Sequence, residues 1–270
     1  MTARPPRAAR FPVALEGVHR GARAAPADLQ RPQRPLHQAA QDAARLRAPS
    51  GLGLDSAAVR ERMVGRLRAQ GLGCEPVLQA LARVARHRFV DSALANQAYE
   101  DTSLPIGAGQ TISKPSVVAR MLSLLMDSAS ARERGHLGRV LEIGTGCGYQ
   151  TALLCTMARA VVSIERIKVL HDKARENLSE RPGELRLVYG DGRLGHAPRA
   201  PYDHIIAAAG GEELPAAWLE QLAVSGRLVA PVHDAARGGQ ALLVIDRQPE
   251  GVVRGWHDAV HFVPLKSGAA

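Results

Sequence analysis

Three glycines at alternate positions, Gly144, Gly146 and Gly148, stand between a short apolar run and a run with helical spacing. Glycine at such a junction lets the backbone turn sharply and pass close to a bound molecule. A dinucleotide-binding fingerprint, G-x-G-x-x-G, would need a glycine at position 149, where this chain has Tyr149. An acidic residue, Glu142, lies two positions before the first glycine. The predicted chemistry is therefore close contact between a backbone loop and a ligand, with a carboxylate beside it.

Two more carboxylates follow at spacings that suit a nucleoside. Glu165 lies 21 residues after Gly144, at the expected end of the next strand, where a carboxylate can accept hydrogen bonds from both hydroxyls of a ribose. Asp191, followed by Gly192, comes after the strand beyond, where an acid can contact an adenine amino group. Each has a plainer alternative. Glu165 can be an acid favoured at a helix N-terminus, and Asp191 with Gly192 can be an ordinary turn.

The elements that must position these residues alternate between strands and helices from residue 139 onward. We expect strands over residues 139–143, 161–165, 185–189, 204–208, 227–231 and 241–246, and helices over 149–158, 167–179 and 215–223. Such alternation predicts an α/β fold with a doubly wound, mostly parallel sheet covered on both faces. Ligands bind such sheets at the carboxyl ends of strands, which is where the glycines and the later acids fall.

The residues on either side of this sheet differ in character. Helical spacing begins near Asp55, recurs after Pro76 and returns over 115–126, so the sheet is preceded by a helical segment. Residues 91–114 look loop-like, and a connection of that length usually serves a function. Residues 251–265 are expected to add one or two antiparallel strands at the C-terminal edge.

The pattern from Glu142 to Gly148, E-x-G-x-G-x-G, resembles the first motif of S-adenosylmethionine-dependent methyltransferases. Residues 104–115, LPIGAGQTISKP, resemble the substrate-loop signature of one family among them, the protein-L-isoaspartate O-methyltransferases. Further blocks resemble that family in the same order: RFV at 88–90, GDG at 190–192, GRLVAPV at 226–232 and FVPL at 262–265. The resemblance covers about residues 55–265.

This resemblance implies a class I methyltransferase fold over residues 51–270, with 51–138 as the helical and substrate-loop part and 139–270 as the cofactor-binding sheet. It implies an enzyme that transfers a methyl group from S-adenosylmethionine to the free α-carboxylate of L-isoaspartyl residues in damaged proteins and peptides. The ester then closes spontaneously to a succinimide, which reopens partly to normal aspartate and so initiates repair.

The resemblance also implies roles for particular residues. Ser113 is expected to be catalytic and to bind the substrate carboxylate; alternatively, it caps the helix that begins near Pro115. Val263, Pro264 and Leu265 are expected to pair with the substrate backbone, unless they form a core-packing terminal strand. The residues expected to contact the cofactor are Thr111, Ile112, Val118, Glu142, Gly144, Gly146, Gly148, Glu165, Asp191 and Gly192.

Glu142 requires a partner, because a carboxylate near a buried strand end is costly unless it is paired. The expected partners are backbone N–H groups of the glycine loop or the methionine ammonium of the cofactor. Gln240 lies where a glutamine of the family is expected. A general base is not required, since a substrate carboxyl with an ordinary pKa of about 4 is ionised at neutral pH.

Positive charge is concentrated at the start of the chain. The net charge is +9, and residues 1–50 hold nine arginines against three acidic residues, together with seven prolines and thirteen alanines. We expect this segment to be a disordered basic extension, with a targeting segment or an anion-binding arm as alternatives. The rest of the chain is nearly balanced in charge, so nucleic acid is not expected as a partner.

Cysteine usage and hydropathy restrict where the protein works. Cys74, Cys147 and Cys155 show no C-x-x-C spacing, so neither a disulfide framework nor a metal site is expected, and a reducing compartment fits best. No apolar run approaches the roughly 18–20 residues that cross a bilayer. We therefore expect a cytoplasmic protein without a membrane partner. A monomer is also expected, although the sequence itself does not reveal the oligomeric state.

Two rival hypotheses remain open. The chain could use the same cofactor site to methylate RNA or a small metabolite, although the QTIS run and the lack of clustered aromatic residues for base stacking argue against it. It could also bind the cofactor without being an enzyme.

Overall fold

The computed structural model describes residues 57–180 and 183–270. The basic extension predicted for residues 1–50 lies outside the described residues. The helices are α1 (Ala57–Ala69), α2 (Glu75–Arg83), α3 (Pro115–Met126), α4 (Ala129–Arg134), α5 (Tyr149–Met157), α6 (Lys168–Asn177) and α7 (Ala216–Gln221). Of the helices in these ranges, none is long and apolar enough to cross a membrane.

The described strands form two sheets. A short antiparallel hairpin consists of β1 (Leu104–Gly107) and β2 (Gln110–Ile112). The main sheet consists of β3 (Arg139–Ile143), β4 (Ala160–Glu165), β5 (Glu184–Tyr189), β6 (Tyr202–Ala207), β7 (Leu222–Asp234), β8 (Gly239–Gln248) and β9 (Gly251–Val260). Its strand order is β5-β4-β3-β6-β7-β8-β9.

The first five strands in that order are parallel; β8 then pairs antiparallel with β7, and β9 pairs antiparallel with β8. The predicted fold class is therefore confirmed. The order reverses on either side of β3, since β4 lies beside it on one side and β6 on the other. This reversal opens a crevice at the carboxyl end of β3, which positions the glycine loop.

The central strands are stable because their apolar side chains are buried on both faces of the sheet. Every residue of β4, AVVSIE, is buried, as expected for a parallel strand covered by helices on both sides. Along β3 the side chains alternate. Val140 packs in a core with α1, α2, α3 and α5, whereas Leu141 and Ile143 pack on the opposite face with Trp218 of α7.

For β3, β4, β5, β6 and β8 the predicted and observed strands agree within two residues at each end. Only one strand forms in residues 251–265, and it ends at Val260; β7 also differs from its predicted range. The strand predicted over 227–231 begins at Leu222, which already pairs with Tyr202. The backbone of Ser225 has a φ of 64°, and the register with β6 shifts between Tyr202 and His204. This interruption breaks the alternation of side chains between the two faces, which is the pattern that predicts a strand from sequence. Residues 222 and 223 were therefore predicted as the end of a helix.

Residues 91–114 are not a loop throughout, which corrects the prediction. They contain a 3₁₀ turn, Ser92–Gln97, and the β1–β2 hairpin. The tip of the hairpin has positive φ at Gly107, Ala108 and Gly109, with values of 99°, 52° and 66°. Strands of three or four residues that contain proline and glycine are too short to show a periodic pattern. Helix α4 was not predicted either, because its buried residues, Ser130 and Ala131, are too small and polar to form an apolar stripe.

Candidate active site

The glycine loop after β3 adopts the sharp turn that its sequence predicts. Gly144, Gly146 and Gly148 all have positive φ, at 90°, 56° and 90°. The N–H groups of Gly144 and Thr145 both donate to the carbonyl of Ile164, at 2.9 and 3.2 Å. The loop is therefore held against the end of β4.

The three glycines have different neighbours. A Cβ at Gly148 would lie 2.8 Å from a methyl group of Leu178, so this glycine is required for packing of α5 and does not face the ligand site. A Cβ at Gly146 would lie 3.2 Å from Cδ1 of Ile106, in the hairpin. Gly146 is thus the point where the hairpin and the glycine loop meet.

Glu165 connects this loop to the next one. Its Oε2 accepts a hydrogen bond from the N–H of Gly146 at 2.8 Å, and its Oε1 accepts one from the N–H of Ile167 at 2.9 Å. The second contact is the helix-terminal role considered as the plainer alternative, since Ile167 precedes α6. Each oxygen keeps a further lone pair, so Glu165 can accept two more hydrogen bonds while it fixes both loops.

Glu142 lies beneath the loop and is completely buried. Thr151 Oγ1 and Ser163 Oγ donate to its Oε2 at 2.5 and 2.6 Å, and Gln150 Nε2 donates to its Oε1 at 3.1 Å. These partners are side chains, not the loop N–H groups that we expected. Burial raises the pKa of Glu142 to about 7, although the three hydrogen bonds lower it.

Asp191 and Gly192 follow β5, and their surroundings differ from each other. A Cβ at Gly192 would lie 2.5 Å from Cγ2 of Ile143, so only glycine fits there. Asp191 Oδ1 accepts from the N–H of Arg193 at 2.8 Å, as in the turn considered above, and Oδ2 accepts from the N–H of Gly268 at 2.6 Å. The C-terminal residues therefore lie against the acid that we expected to face adenine.

The hairpin and the start of α3 form the opposite wall. Ile112 and Val118 are buried, and Thr111 is exposed. The residue before α3 is Lys114, so Ser113 is not its N-cap, which removes the alternative assignment. Ser113 is half-buried, and its hydroxyl has no hydrogen-bond partner among residues 57–180 and 183–270.

The segment after β9 supplies a third wall. The N–H of Gly210 donates to the carbonyl of Val263 at 2.9 Å, and the N–H of Leu265 donates to the carbonyl of Gly210 at 2.7 Å. Gln240 fixes the start of this segment, because its Oε1 accepts from the N–H of Phe262 at 2.7 Å. Val263 and Leu265 are half-buried and Pro264 is exposed. The segment lies beyond the end of β9, and Leu265 packs against the apolar cluster that contains Trp218.

These walls enclose a cavity of about 320 Å³ at the carboxyl ends of the central strands. The predicted site residues that line it are Thr111, Ile112, Ser113, Val118, Gly144, Gly146, Glu165, Gly192, Val263, Pro264 and Leu265. Glu142, Gly148 and Asp191 lie behind this lining.

Several lining residues were missed from the sequence. Thr145, Tyr149, Gln150, Arg166 and Lys266 all contribute to the cavity wall. One signal was available for Gln150, which is a polar residue that follows the glycines on a mostly apolar helix. Arg166 and Lys266 carry no such signal, because a charged residue beside a helix start or near a chain end is ordinary.

Comparison with known proteins identifies the same family as the sequence motifs. A model of the family described as protein-L-isoaspartate(D-aspartate) O-methyltransferase matches residues 58–270. The chain is 61% identical to a protein-L-isoaspartate O-methyltransferase of Methylibium petroleiphilum over 263 residues, which cover 97% of each protein. It is 59% identical to one of Leptothrix cholodnii over 276 residues, which cover 98% of this chain and 96% of that protein.

A solved structure from Plasmodium falciparum gives the same result for the fold. It is described as a protein-L-isoaspartate O-methyltransferase in complex with S-adenosyl-L-homocysteine. The match has a TM-score of 0.66 and 22% identity, and it covers 77% of this chain and 98% of the other. On the family model and the two close relatives, this chain belongs to the protein-L-isoaspartate(D-aspartate) O-methyltransferase family.

Proposed function

We propose that the cavity between the hairpin and the central strands is where this enzyme transfers a methyl group from S-adenosylmethionine to the free α-carboxylate of an L-isoaspartyl residue. The observation that carries this assignment is the position of Ser113. Its hydroxyl has no hydrogen-bond partner in the described ranges, yet it lines the same cavity as Gly144 and Glu165. A free donor for the acceptor carboxylate thus shares one cavity with the loop that suits a nucleoside.

The residues present fit the cofactor. Gly144 and Gly146 leave the backbone of the loop open to close approach by a ligand. Glu165 presents spare lone pairs, which suit two ribose hydroxyls. Ile112 and Val118 add apolar wall on the hairpin side. When bound, S-adenosylmethionine supplies an electrophilic methyl group on a sulfonium sulfur.

The remaining requirement is to orient the acceptor. Ser113 can donate a hydrogen bond to one oxygen of the substrate carboxylate and leave the other oxygen directed toward the methyl group. The carboxylate is already ionised at neutral pH, so Ser113 need not remove a proton. In ideal cases, positioning of this kind can lower the activation free energy by up to roughly 7–11 kcal/mol.

Glu142, Gly148 and Asp191 are assigned supporting roles at the cofactor. Glu142 holds Gln150 by a hydrogen bond, and Gln150 lines the cavity, so the buried carboxylate fixes the wall from behind. Gly148 allows α5 to pack against Leu178. Asp191 holds the turn that brings Gly192 to the cavity.

Val263, Pro264 and Leu265 are assigned to the substrate backbone. Gly210 already pairs with the carbonyl of Val263 and with the N–H of Leu265. The N–H of Val263 and the carbonyl of Pro264 are not used in this bridge, so they can pair with an extended peptide. Main-chain recognition suits an enzyme whose substrates are damaged sites in many proteins.

We further propose that the enzyme acts as a cytoplasmic monomer, with residues 51–270 as a single domain and without a nucleic acid or membrane partner. The single domain is supported by the cavity to which the hairpin, α3 and the sheet all contribute. The nearly balanced charge after residue 50 argues against a nucleic acid partner, and the unpaired Cys74, Cys147 and Cys155 suit a reducing compartment. Sedimentation of the purified full chain checks the oligomeric state.

The test of the function uses two peptides that differ only in an isoaspartyl or an aspartyl linkage. With radiolabelled cofactor, we expect methyl transfer to the isoaspartyl peptide and none to its twin. Bulk RNA in a third reaction tests the rival substrate class. Equal labelling of both peptides, or labelling of RNA alone, contradicts the assignment.

A further inference from the structure

Arg86 is a buried cation outside the cavity, and it has no carboxylate bound to it among the described residues. Its side chain is 0% exposed and lies in the 3₁₀ turn Arg86–Phe89 that follows α2. Burial lowers the pKa of Arg86, which reflects the cost of removing a charge from water. An arrangement this unfavourable for a cation indicates that the guanidinium serves some purpose other than packing.

The contacts of Arg86 join two parts of the active site. Its Nε donates to the carbonyl of Ala98 at 2.8 Å, and its Nη2 lies 3.5 Å from the carbonyl of Thr102, just before β1. The guanidinium carbon lies 4.9 Å from the ring centre of Tyr149, which begins α5 directly after the glycine loop. One planar group therefore contacts the segment that leads into the hairpin and the helix that follows the cofactor loop.

The segment of residues 98–102 also reaches the start of α3. Asp101 Oδ1 accepts a hydrogen bond from the N–H of Ser116 at 2.8 Å. Ser116 lies in the first turn of α3, three residues after Ser113. A displacement of residues 98–102 would consequently move both the hairpin and Ser113 relative to Tyr149 and the glycine loop.

We propose that Arg86 is a positioning residue for methyl transfer, which fixes the Ser113 side of the cavity at a set distance from the glycine loop. This inference rests on the proposed role of Ser113. In-line transfer needs the acceptor oxygen and the methyl group aligned, and a misplacement of about 1 Å can cost on the order of a hundredfold in rate. Arg86 touches neither reactant, so its effect must pass through residues 98–102 and Tyr149.

Arg86→Lys is the first test, because lysine keeps the charge but lacks the planar fork and the stacking face. We expect kcat with an isoaspartyl peptide to fall about tenfold, with less than a threefold change in peptide KM and less than a twofold change in the Kd of S-adenosylhomocysteine. A purely structural role would lower the Tm and weaken S-adenosylhomocysteine binding in step with kcat.

The chain offers a matched control in Arg66. Its Nη2 donates to the carbonyl of Tyr99 at 2.7 Å, so it holds the same segment, but it does so from the exposed side and without Tyr149. Arg66→Lys should change kcat by less than twofold. If Arg66→Lys and Arg86→Lys lose kcat equally, the link to Tyr149 is not what matters and the proposal is overturned.

A second variant keeps the test open if Arg86→Lys fails to fold. Asp101→Ala removes an exposed side chain and releases Ser116, and we expect a kcat loss of about tenfold with unchanged S-adenosylhomocysteine binding. In the double variant the two losses should not multiply, because both act on the same segment. A wild-type kcat for Asp101→Ala, or fully multiplicative losses, overturns the proposal. A wild-type kcat for Ser113→Ala alone would instead reject the role of Ser113.

Discussion

Glu142 and Glu165 lie near the ends of neighbouring strands, but their environments assign them different tasks. Glu142 is fully enclosed by donors from Thr151, Ser163 and Gln150, so its oxygens are committed to the protein. Glu165 lies at the cavity wall and holds two backbone N–H groups, with lone pairs to spare. At the scale of single residues, one carboxylate therefore supports the site and the other is available to a ligand.

Ser113→Ala tests the proposed catalytic residue. Since the hydroxyl has no hydrogen-bond partner in the described ranges, its removal should not disturb the fold. We expect kcat to fall about tenfold or more, because the acceptor carboxylate loses its orienting donor. The Kd of S-adenosylhomocysteine, measured by calorimetry, should stay within twofold. Equal turnover in the variant would reject the role.

Glu142→Gln tests the buried carboxyl through the pH dependence of stability. Burial raises the pKa of Glu142 from 4.5 to about 7 in the folded protein. Between these values the folded protein keeps a proton that the unfolded chain has lost, so this group's stabilisation falls as pH rises. Relative to wild type, the free energy of unfolding of the variant should rise by on the order of 3 kcal/mol from pH 4.5 to 7.5.

The measurement is urea unfolding of both proteins across that pH range, with the difference taken at each pH. The subtraction removes other titrations, such as that of His204, whose pKa burial lowers to about 4. Glu220→Gln, on the exposed surface of α7, is the control and should follow the wild-type curve. Parallel curves for Glu142→Gln and wild type would show that the pKa of the buried carboxyl is not raised.

At the scale of elements, the hairpin and the glycine loop meet at Gly146, and Gly146→Ala tests that contact. Alanine must adopt a φ of 56°, and its Cβ would lie 3.2 Å from Cδ1 of Ile106. We expect the Kd of S-adenosylhomocysteine to rise at least tenfold, because the loop must shift away from the hairpin. Gly135→Ala, with a φ of 73° but open space around it, should lose only about 1 kcal/mol of stability. Similar binding by the two variants would contradict the proposed contact.

The sequence predicts an element well when the element is long enough to show an apolar pattern of its own. Strands such as β3 and β4 are mostly apolar, with two or three aliphatic residues in succession, and the position of the glycine loop follows from them. The β1–β2 hairpin has no such pattern. The length of the connection over residues 91–114 indicated a function, and the resemblance of residues 104–115 to a family signature indicated which function. Arg86 was not identified, because nothing in local sequence separates a buried arginine from an exposed one.

At the scale of the whole molecule, the proposed catalytic cavity is assigned to residues of the described ranges. Its lining residues lie between Ile106 and Lys266, and the family model begins at residue 58. Residues 1–50 nevertheless hold nine arginines against three acidic residues, so they supply most of the net positive charge. Catalysis and the basic segment should therefore be separable.

Deletion of residues 1–50 tests this separation. We expect kcat and peptide KM of the 51–270 protein to stay within twofold of the values for the full chain, and Tm within a few degrees, because every lining residue named for the described ranges is retained. Retention on an anionic resin should weaken, since the deleted segment removes six units of net positive charge. Full-length Ser113→Ala serves as the control for loss of activity with the extension present. A tenfold fall in kcat with an unchanged Tm would mean that the basic segment contributes directly to the reaction, through the cavity or the protein substrate.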